Sequence, residues 1–432
     1  IQLSKDGPAL SHLAFADDLI LFAEASLEQV EVIQDCLTSF CASSGQKVSL
    51  DKTRVFFSKN VSFSARESIS AALGFQQTGN LGKYLGIPAH HSRVNRSSYQ
   101  DIIEKLNQRL SGWKARNLSF AGRLTLTKSV LEALPSYTMQ TVQLPNLLCD
   151  EIDRICRNFL WGDNQIQKKC HAVGWGTLCY PKEYGGLGLR RMRDVNTSFM
   201  MKNCWSLITE PQKLWVRVVK AKYKSKYKCS NEIIPKVVKK SNMSNLWHGI
   251  NGAWNLVVSN IGWQLGNGRM IKFWYDKWIP NSPPLIQCAL TFIPPVELFK
   301  SVSDYTNMLG IWDLSHIQDW IPAELLAIIL CSPPPSEDAG IDKIIWNPTT
   351  DDLFTIKSAH EIAAQQMLPA KSPLFKQIWK WHGPERVRAF LWRVAHESLL
   401  TNSCRVKRGM TSDSTCGECR QAMETTLQFS LK

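Results

Sequence analysis

Residues 12–23, HLAFADDLILFA, set two apolar runs either side of adjacent carboxylates, Asp17 and Asp18. Runs this short, broken by a polar pair, match two strands joined by a tight turn better than a helix. The segment is therefore expected to form a β-hairpin with buried strands and an acidic tip. No initiator Met precedes it, since the chain opens on Ile1, and the expectation is that the sequence begins inside a domain.

Two neighbouring carboxylates held among Leu13, Phe15, Leu19, Ile20 and Leu21 repel one another and lose hydration unless solvent or a cation reaches them. Mg²⁺ meets that need with hard oxygen ligands and keeps open positions for a triphosphate and a primer hydroxyl. The chemistry such a turn can support is two-metal nucleotidyl transfer. An Asp-Asp pair by itself is also an ordinary solvated turn.

Downstream, Ser26 and Gln29 form a capping pattern, Val30, Ile33, Leu37, Phe40 and Cys41 recur at helical spacing, and Gly45 ends the run. Lys47–Leu50 and Arg54–Ser58 read as a second hairpin bending at Asp51 and Lys52. From Tyr99 to Gln143 the period becomes helical, with Ile102, Ile103, Leu106 and Leu110 on one side and Arg109, Lys114, Arg116 and Arg123 elsewhere. After Pro145 a further helix carries Leu148, Ile152, Ile155, Phe159 and Leu160 on one face and closes at Trp161-Gly162. Tyr184–Gly188 is a turn-rich loop too constrained for a linker, and Gly262–Pro280 is expected to be a hairpin about a Gly-Asn-Gly turn. Leu325–Cys331 reads as core, Pro333–Pro335 as the linker, and Phe375–His396 as helical.

Lys+Arg 51 against Asp+Glu 37 gives a net charge of +14, a field that gathers polyanions. The densest patch is Lys213–Lys240, which holds Lys220, Lys222, Lys224 and Lys226 with Trp215, Tyr223 and Tyr227 interleaved. Such aromatics stack on unpaired bases, or else pack inward beneath a solvated basic face. Thirteen scattered cysteines without a signal peptide point to a reducing, intracellular setting, nuclear or cytoplasmic and not secreted. No apolar run approaches the roughly 20 residues of a membrane span. Cys416-Gly417-Glu418-Cys419 has the spacing of half a tetrahedral zinc site, and Cys404, His396 or His382 could complete it.

FADD followed by LILFA, then SGQKVSLDKTRVFF and KYLGIP, resembles the successive palm motifs of reverse transcriptases from non-LTR, LINE-type retroelements. Further on, LSGWKARNLSFAGRLTLTKSVLEALPSYTMQ and WGTLCYPKEYGGLGLRRM resemble the thumb and connector of plant elements, a likeness carried by Trp113, Lys114, Ser119, Gly122 and Arg123. The resemblance implies that Asp17 and Asp18 carry catalytic Mg²⁺, that Phe15 and Ala16 lead the strand into the site, and that Lys52 acts as general acid toward the leaving pyrophosphate. It implies that Tyr84, Leu85 and Gly86 grip the primer end, and that Lys114, Arg116 and Arg123 lie along an RNA-templated primer duplex. It also implies a further metal-binding aspartate, fingers and an endonuclease earlier in the element. The tail around Cys416 and Cys419 resembles the zinc-binding segment that follows such polymerases, with Gln428 standing where that segment has a ligating His.

The expected architecture is α+β and multidomain. A partial palm (1–95) of hairpin, helix and short strands precedes a helical basic thumb and connector (96–240). A Trp-rich module (241–335) and a mainly helical tail with a cysteine knuckle (336–432) follow. The function expected is that of a fragment or decayed copy of an RNA-directed DNA polymerase, inactive alone, or else a noncatalytic RNA- or DNA-binding derivative.

Overall fold

A computed structural model describes the chain except residues 3, 5–6, 90–95, 113–117, 164–168, 225–242, 365–367 and 427–432. The described residues divide into two units that alternate along the sequence. The first holds Ile1–Arg193, Pro211–Ile233 and Met367–Lys432, and the second holds Asp194–Glu210 and Ile234–Gln366.

In the first unit, β1 (His12–Phe15) pairs antiparallel with β2 (Asp18–Leu21) in the register Phe15↔Asp18 to His12↔Leu21. The hairpin therefore forms where the sequence puts it. Its strands are not buried, however: Leu13, Phe15, Leu19 and Leu21 are all exposed, because among the described residues no third strand joins the sheet. Helix α1 (Leu27–Ser44) starts with the Ser26 hydroxyl accepting from the Gln29 N–H and stops at Gly45, whose φ of 71° favours a residue without Cβ.

The expected second hairpin is replaced by a crossover. Strand β3 (Arg54–Val55) runs parallel to β4 (Gln76–Gln77), with α2 (Phe63–Leu73) between them. Residues 47–50 are not a strand; the Thr53 N–H and hydroxyl both turn back onto the Ser49 carbonyl and tighten the bend. Next, β5 (Lys83–Tyr84) and β6 (Ile87–Pro88) close a small hairpin.

Helices then take over: α3 (Gln100–Gly112), α4 (Phe120–Leu126) continued by a π-turn over Thr127–Leu131, α5 (Ser136–Met139) and α6 (Asn146–Trp161). Helix α6 buries Leu148, Cys149, Ile152, Cys156, Phe159 and Leu160, a spacing that keeps one face inward. Full burial of each large side chain contributes about 1.5–3 kcal/mol. The short α7 (Trp175–Leu178) leads to the Tyr184–Gly188 loop, and α8 (Met192–Thr209) runs from the first unit into the second. Helix α9 (Leu214–Lys224) belongs to the first unit again.

The second unit is built on aromatic packing around α10 (Asn245–Val258) and one non-local strand pair. Strand β7 (Ile261–Gln264) pairs not with the residues that follow it but with β8 (Lys343–Trp346), in the register Ile261↔Trp346 to Gln264↔Lys343. The local hairpin expected over 262–280 is thus absent. The Gly266–Met270 turn is captured by buried Asp342, whose carboxylate accepts from the N–H groups of Gly266, Gly268 and Met270 at 2.8, 2.9 and 2.8 Å. Nearby, the Trp274 indole N–H donates to the Tyr305 hydroxyl at 2.9 Å, and that hydroxyl donates to Glu297 at 2.6 Å.

Helix α11 (Leu285–Cys288) is one turn, and α12 (Ala323–Cys331) buries only Ile329. The latter is therefore not the core segment its composition implied, since Ile328 and Leu330 face solvent. Pro333–Pro335 lies within this unit, where the following Ser336 N–H bonds Gly266 O. Helix α13 (Ile356–Ala364) supplies Ser358, whose hydroxyl accepts from the Trp346 indole.

The chain returns to the first unit with α14 (Pro373–Lys380), α15 (Glu385–Ala395) and α16 (Asn402–Lys407). The expected helical stretch 375–396 is thus two helices separated at Gly383-Pro384, where proline cannot continue a helix. Among the described residues no helix is long and apolar enough to cross a membrane.

Candidate functional site

The β1–β2 register leaves Ala16 and Asp17 as a two-residue turn, and Asp18 opens β2 opposite Phe15. Ala16 has a φ of 51°, a region that costs a residue with a Cβ about 1 kcal/mol or more. The turn is thereby fixed tightly enough to hold two successive carboxylates at one tip. Both aspartates are exposed, so each keeps the solvation that ionisation demands. Among the described residues no hydrogen bond or ion pair engages either carboxylate, and no group of three or more His, Cys, Asp or Glu side chains comes together. As a magnesium site the tip offers two hard oxygen donors on one side.

Lys52 lies exposed in the bend before β3, its N–H on the Ser49 carbonyl at 3.3 Å. No hydrogen bond or ion pair joins it to Asp17 or Asp18 among the described residues. Tyr84 ends β5, and Leu85 and Gly86 form the turn to β6 with φ values of 49° and 78°. Positive φ at both positions belongs to the tight mirror-image hairpin turn, normally filled by Asn-Gly. Leucine tolerates it here because the Tyr137 hydroxyl donates to the Leu85 carbonyl at 2.7 Å, tying this turn to α5. Lys83 at the base of the hairpin pairs with Asp101 on α3 at 3.1 Å. The sequence reading missed Tyr137, for which the only signal was its position in the helical stretch.

The basic residues divide by environment. Arg123 turns inward: its Nε donates to the Leu160 carbonyl at 3.0 Å, and burial lowers its pKa. It thus secures the C-terminal end of α6, a use the sequence reading did not foresee for a residue placed along a duplex. On α9, Lys222 is exposed beside the Tyr223 ring and Lys220 is half-buried. Tyr223 itself is buried and packs inward, while Trp215 on the same helix is half-buried. Lys114, Arg116, Lys226 and Gln428 lie outside the described residues, as does the side chain of Lys224.

In the tail, Cys416 is buried and Cys419 exposed on a tight turn in which the Arg420 N–H returns to the Cys416 carbonyl at 2.9 Å and the Cys416 N–H reaches Ala422 O at 2.8 Å. Asn402 at the start of α16 donates its amide to Thr415 O at 2.7 Å and its N–H to Glu424 at 2.7 Å, clamping the turn from the side. The spacing suits a zinc knuckle, but two thiols are half of a tetrahedral set. The Nε2 of His396 is engaged with the Gly185 carbonyl at 2.6 Å, and among the described residues no third His, Cys, Asp or Glu joins the two thiols as a metal-holding group.

The family described as zinc-binding in reverse transcriptase matches residues 354–432. A curated Arabidopsis thaliana protein called "Putative ribonuclease H protein" is 32% identical over 350 residues, which cover 79% of this chain and 55% of the relative. The chain thus spans about half the length of that relative. An uncharacterized mitochondrial protein of the same plant is 30% identical over 157 residues, covering 35% of this chain and 97% of the relative.

Proposed function

Given that the chain belongs to the reverse transcriptase-like proteins derived from retrotransposons, we propose that it is the palm end, thumb and tail of a LINE-type RNA-directed DNA polymerase. The observation that carries this reading is the solvent-open tip of the β1–β2 hairpin with Asp17 and Asp18 in succession. Asp17 and Asp18 would hold magnesium, which when bound lowers the barrier to attack by a primer hydroxyl and offsets charge on the triphosphate. In the transfer, a bond forms between the primer 3′ oxygen and the α-phosphorus while the bond to pyrophosphate breaks. Lys52 protonates the departing pyrophosphate, and Tyr84, Leu85 and Gly86 hold the primer end. The nucleic-acid partners are an RNA template and the primer duplex, and the polymerase and endonuclease regions of the same element complete the machinery.

Purified 1–432 is expected not to extend a primer, because a metal site with two donors on one side does not close around its ions. Primer-extension assays with Mg²⁺ test this directly. Incorporation that disappears in Asp17→Ala with Asp18→Ala would overturn the claim of inactivity while supporting the polymerase reading. A second reading, a noncatalytic RNA- or DNA-binding derivative, is favoured by the net charge of +14 and the basic helix α9. Binding of RNA by a form that never gains activity when joined to the preceding region of the element would favour it.

A further inference from the structure

A cleft of about 100 Å³ in the first unit lies between the start of α4 and the outer face of α15. It is lined by Ser119, Ala121, Arg386, Ala389, Phe390 and Arg393. Arg386, Phe390 and Arg393 recur at helical spacing, so they share one face of α15 over about 10 Å. Phe120, itself part of the lining, anchors the wall: it stacks on Trp392 with ring centroids 6.1 Å apart and packs against Trp161 at 5.4 Å.

The chemistry of the lining is one-sided. Two arginines and no acidic residue line it. The Nε of Arg393 is buried without an acceptor among the described residues, and its titratable neighbour is the Cys170 thiol. An unsatisfied buried donor costs about 1–3 kcal/mol, more when charged. Ser119 accepts from the Gly122 N–H through its hydroxyl oxygen at 3.1 Å, which leaves its own proton to donate outward. Phe390 remains 39% exposed between the two arginines, an apolar ring held at a charged surface.

We propose that this cleft holds one nucleotide of unpaired RNA, with the phosphate on Arg386, Arg393 and the Ser119 hydroxyl and the base against Phe390. An anion with a flat apolar neighbour satisfies both the two cations and the exposed ring, whereas an acidic peptide leaves the ring uncovered. The inference rests on the reading of the chain as a nucleic-acid-binding protein, but it concerns a face of the tail that lies outside the acidic hairpin and the α9 basic helix.

The test is fluorescence anisotropy of the full 1–432 chain with a labelled oligouridylate across a salt series. Arg386→Gln, Arg393→Gln and the double variant are compared with Lys222→Gln on α9. Each lost phosphate contact is expected to reduce the slope of log affinity against log salt by about 0.7. Phe390→Leu is expected to weaken binding roughly tenfold with the slope unchanged. Arg386 is exposed, so Arg386→Gln keeps the fold and reports even where a variant at the half-buried Arg393 does not. If the unaltered chain binds and all cleft variants bind equally well with the same slope, the cleft is overturned and the wider reading stands. If the unaltered chain binds no oligouridylate, both fall together.

Discussion

The indole N–H of Trp392 donates to the carbonyl oxygen of Gly185 at 2.8 Å, joining residues 207 positions apart in the sequence. The same carbonyl accepts from His396 Nε2 at 2.6 Å, and the Lys128 ammonium donates to Leu187 O two residues on. The Tyr184–Gly188 loop is therefore where α15 and the π-turn after α4 are fastened. Trp392→Phe keeps the ring and removes one donor. It is expected to lower stability by about 1 kcal/mol, read as a lower urea midpoint at unchanged slope.

Gly186 in that loop has no room for a side chain, since a Cβ there would overlap the backbone of Tyr180. Gly252, on the exposed side of α10, has nothing within 4 Å of the same position. Gly186→Ala is thus expected to unfold the first unit or to cost several-fold more than Gly252→Ala gains. The latter should stabilise by about 0.5–1 kcal/mol through helix propensity. Thermal melts of the two variants beside the parent check both directions.

Burial pushes the Asp153 carboxyl up to about 7, although it accepts from the Met192 N–H at 3.1 Å. A carboxyl whose folded pKa lies above its unfolded value binds more protons when folded. Its contribution is therefore complete below the usual carboxylate range and is lost as pH rises through about 7. Asp153→Asn keeps an acceptor for the amide and cannot ionise. The fall in unfolding free energy between pH 5 and pH 8 is expected to be smaller in this variant than in the parent, as followed by urea titration at each pH.

Asp17→Ala with Asp18→Ala should change stability by less than about 0.5 kcal/mol, because both side chains are exposed and no partner depends on them among the described residues. A large loss of stability would make the pair a structural turn and remove the case for a metal-binding role.

Zinc content offers a separate check on the tail. With Cys416 and Cys419 as the paired thiols, purified protein is expected to hold less than one zinc per chain after dialysis. Gln428→His, which puts an imidazole where the resembling segment has one, should raise the retained metal. Elemental analysis of both proteins decides it.

What the sequence disclosed follows from how far each contact reaches. The β1–β2 hairpin, the Ser26 cap and the Gly45 stop are settled within a few residues, and they were legible as such. The pairing of β7 with β8 was not, because Gln264 finds Lys343 only once the intervening chain has folded, and the local Gly-Asn-Gly turn pointed to a nearer partner. Arg123 reads as one more positive charge until the Leu160 carbonyl is seen opposite it. The cleft on α15 escaped notice for the same reason: Ser119 and Arg393 lie far apart in sequence, and no spacing rule connects them.

The order in which the two units share the polypeptide has a further consequence. The first unit is entered, left at Arg193, re-entered at Pro211 and joined again only by the segment from Met367 onward, so a ribosome must release the chain through α15 before Trp392 can reach Gly185. Until then the nascent unit waits with an apolar seam open. A premature stop codon anywhere upstream of α14 would strand it in that unfinished condition, a target for chaperones or proteolysis instead of a shorter working protein.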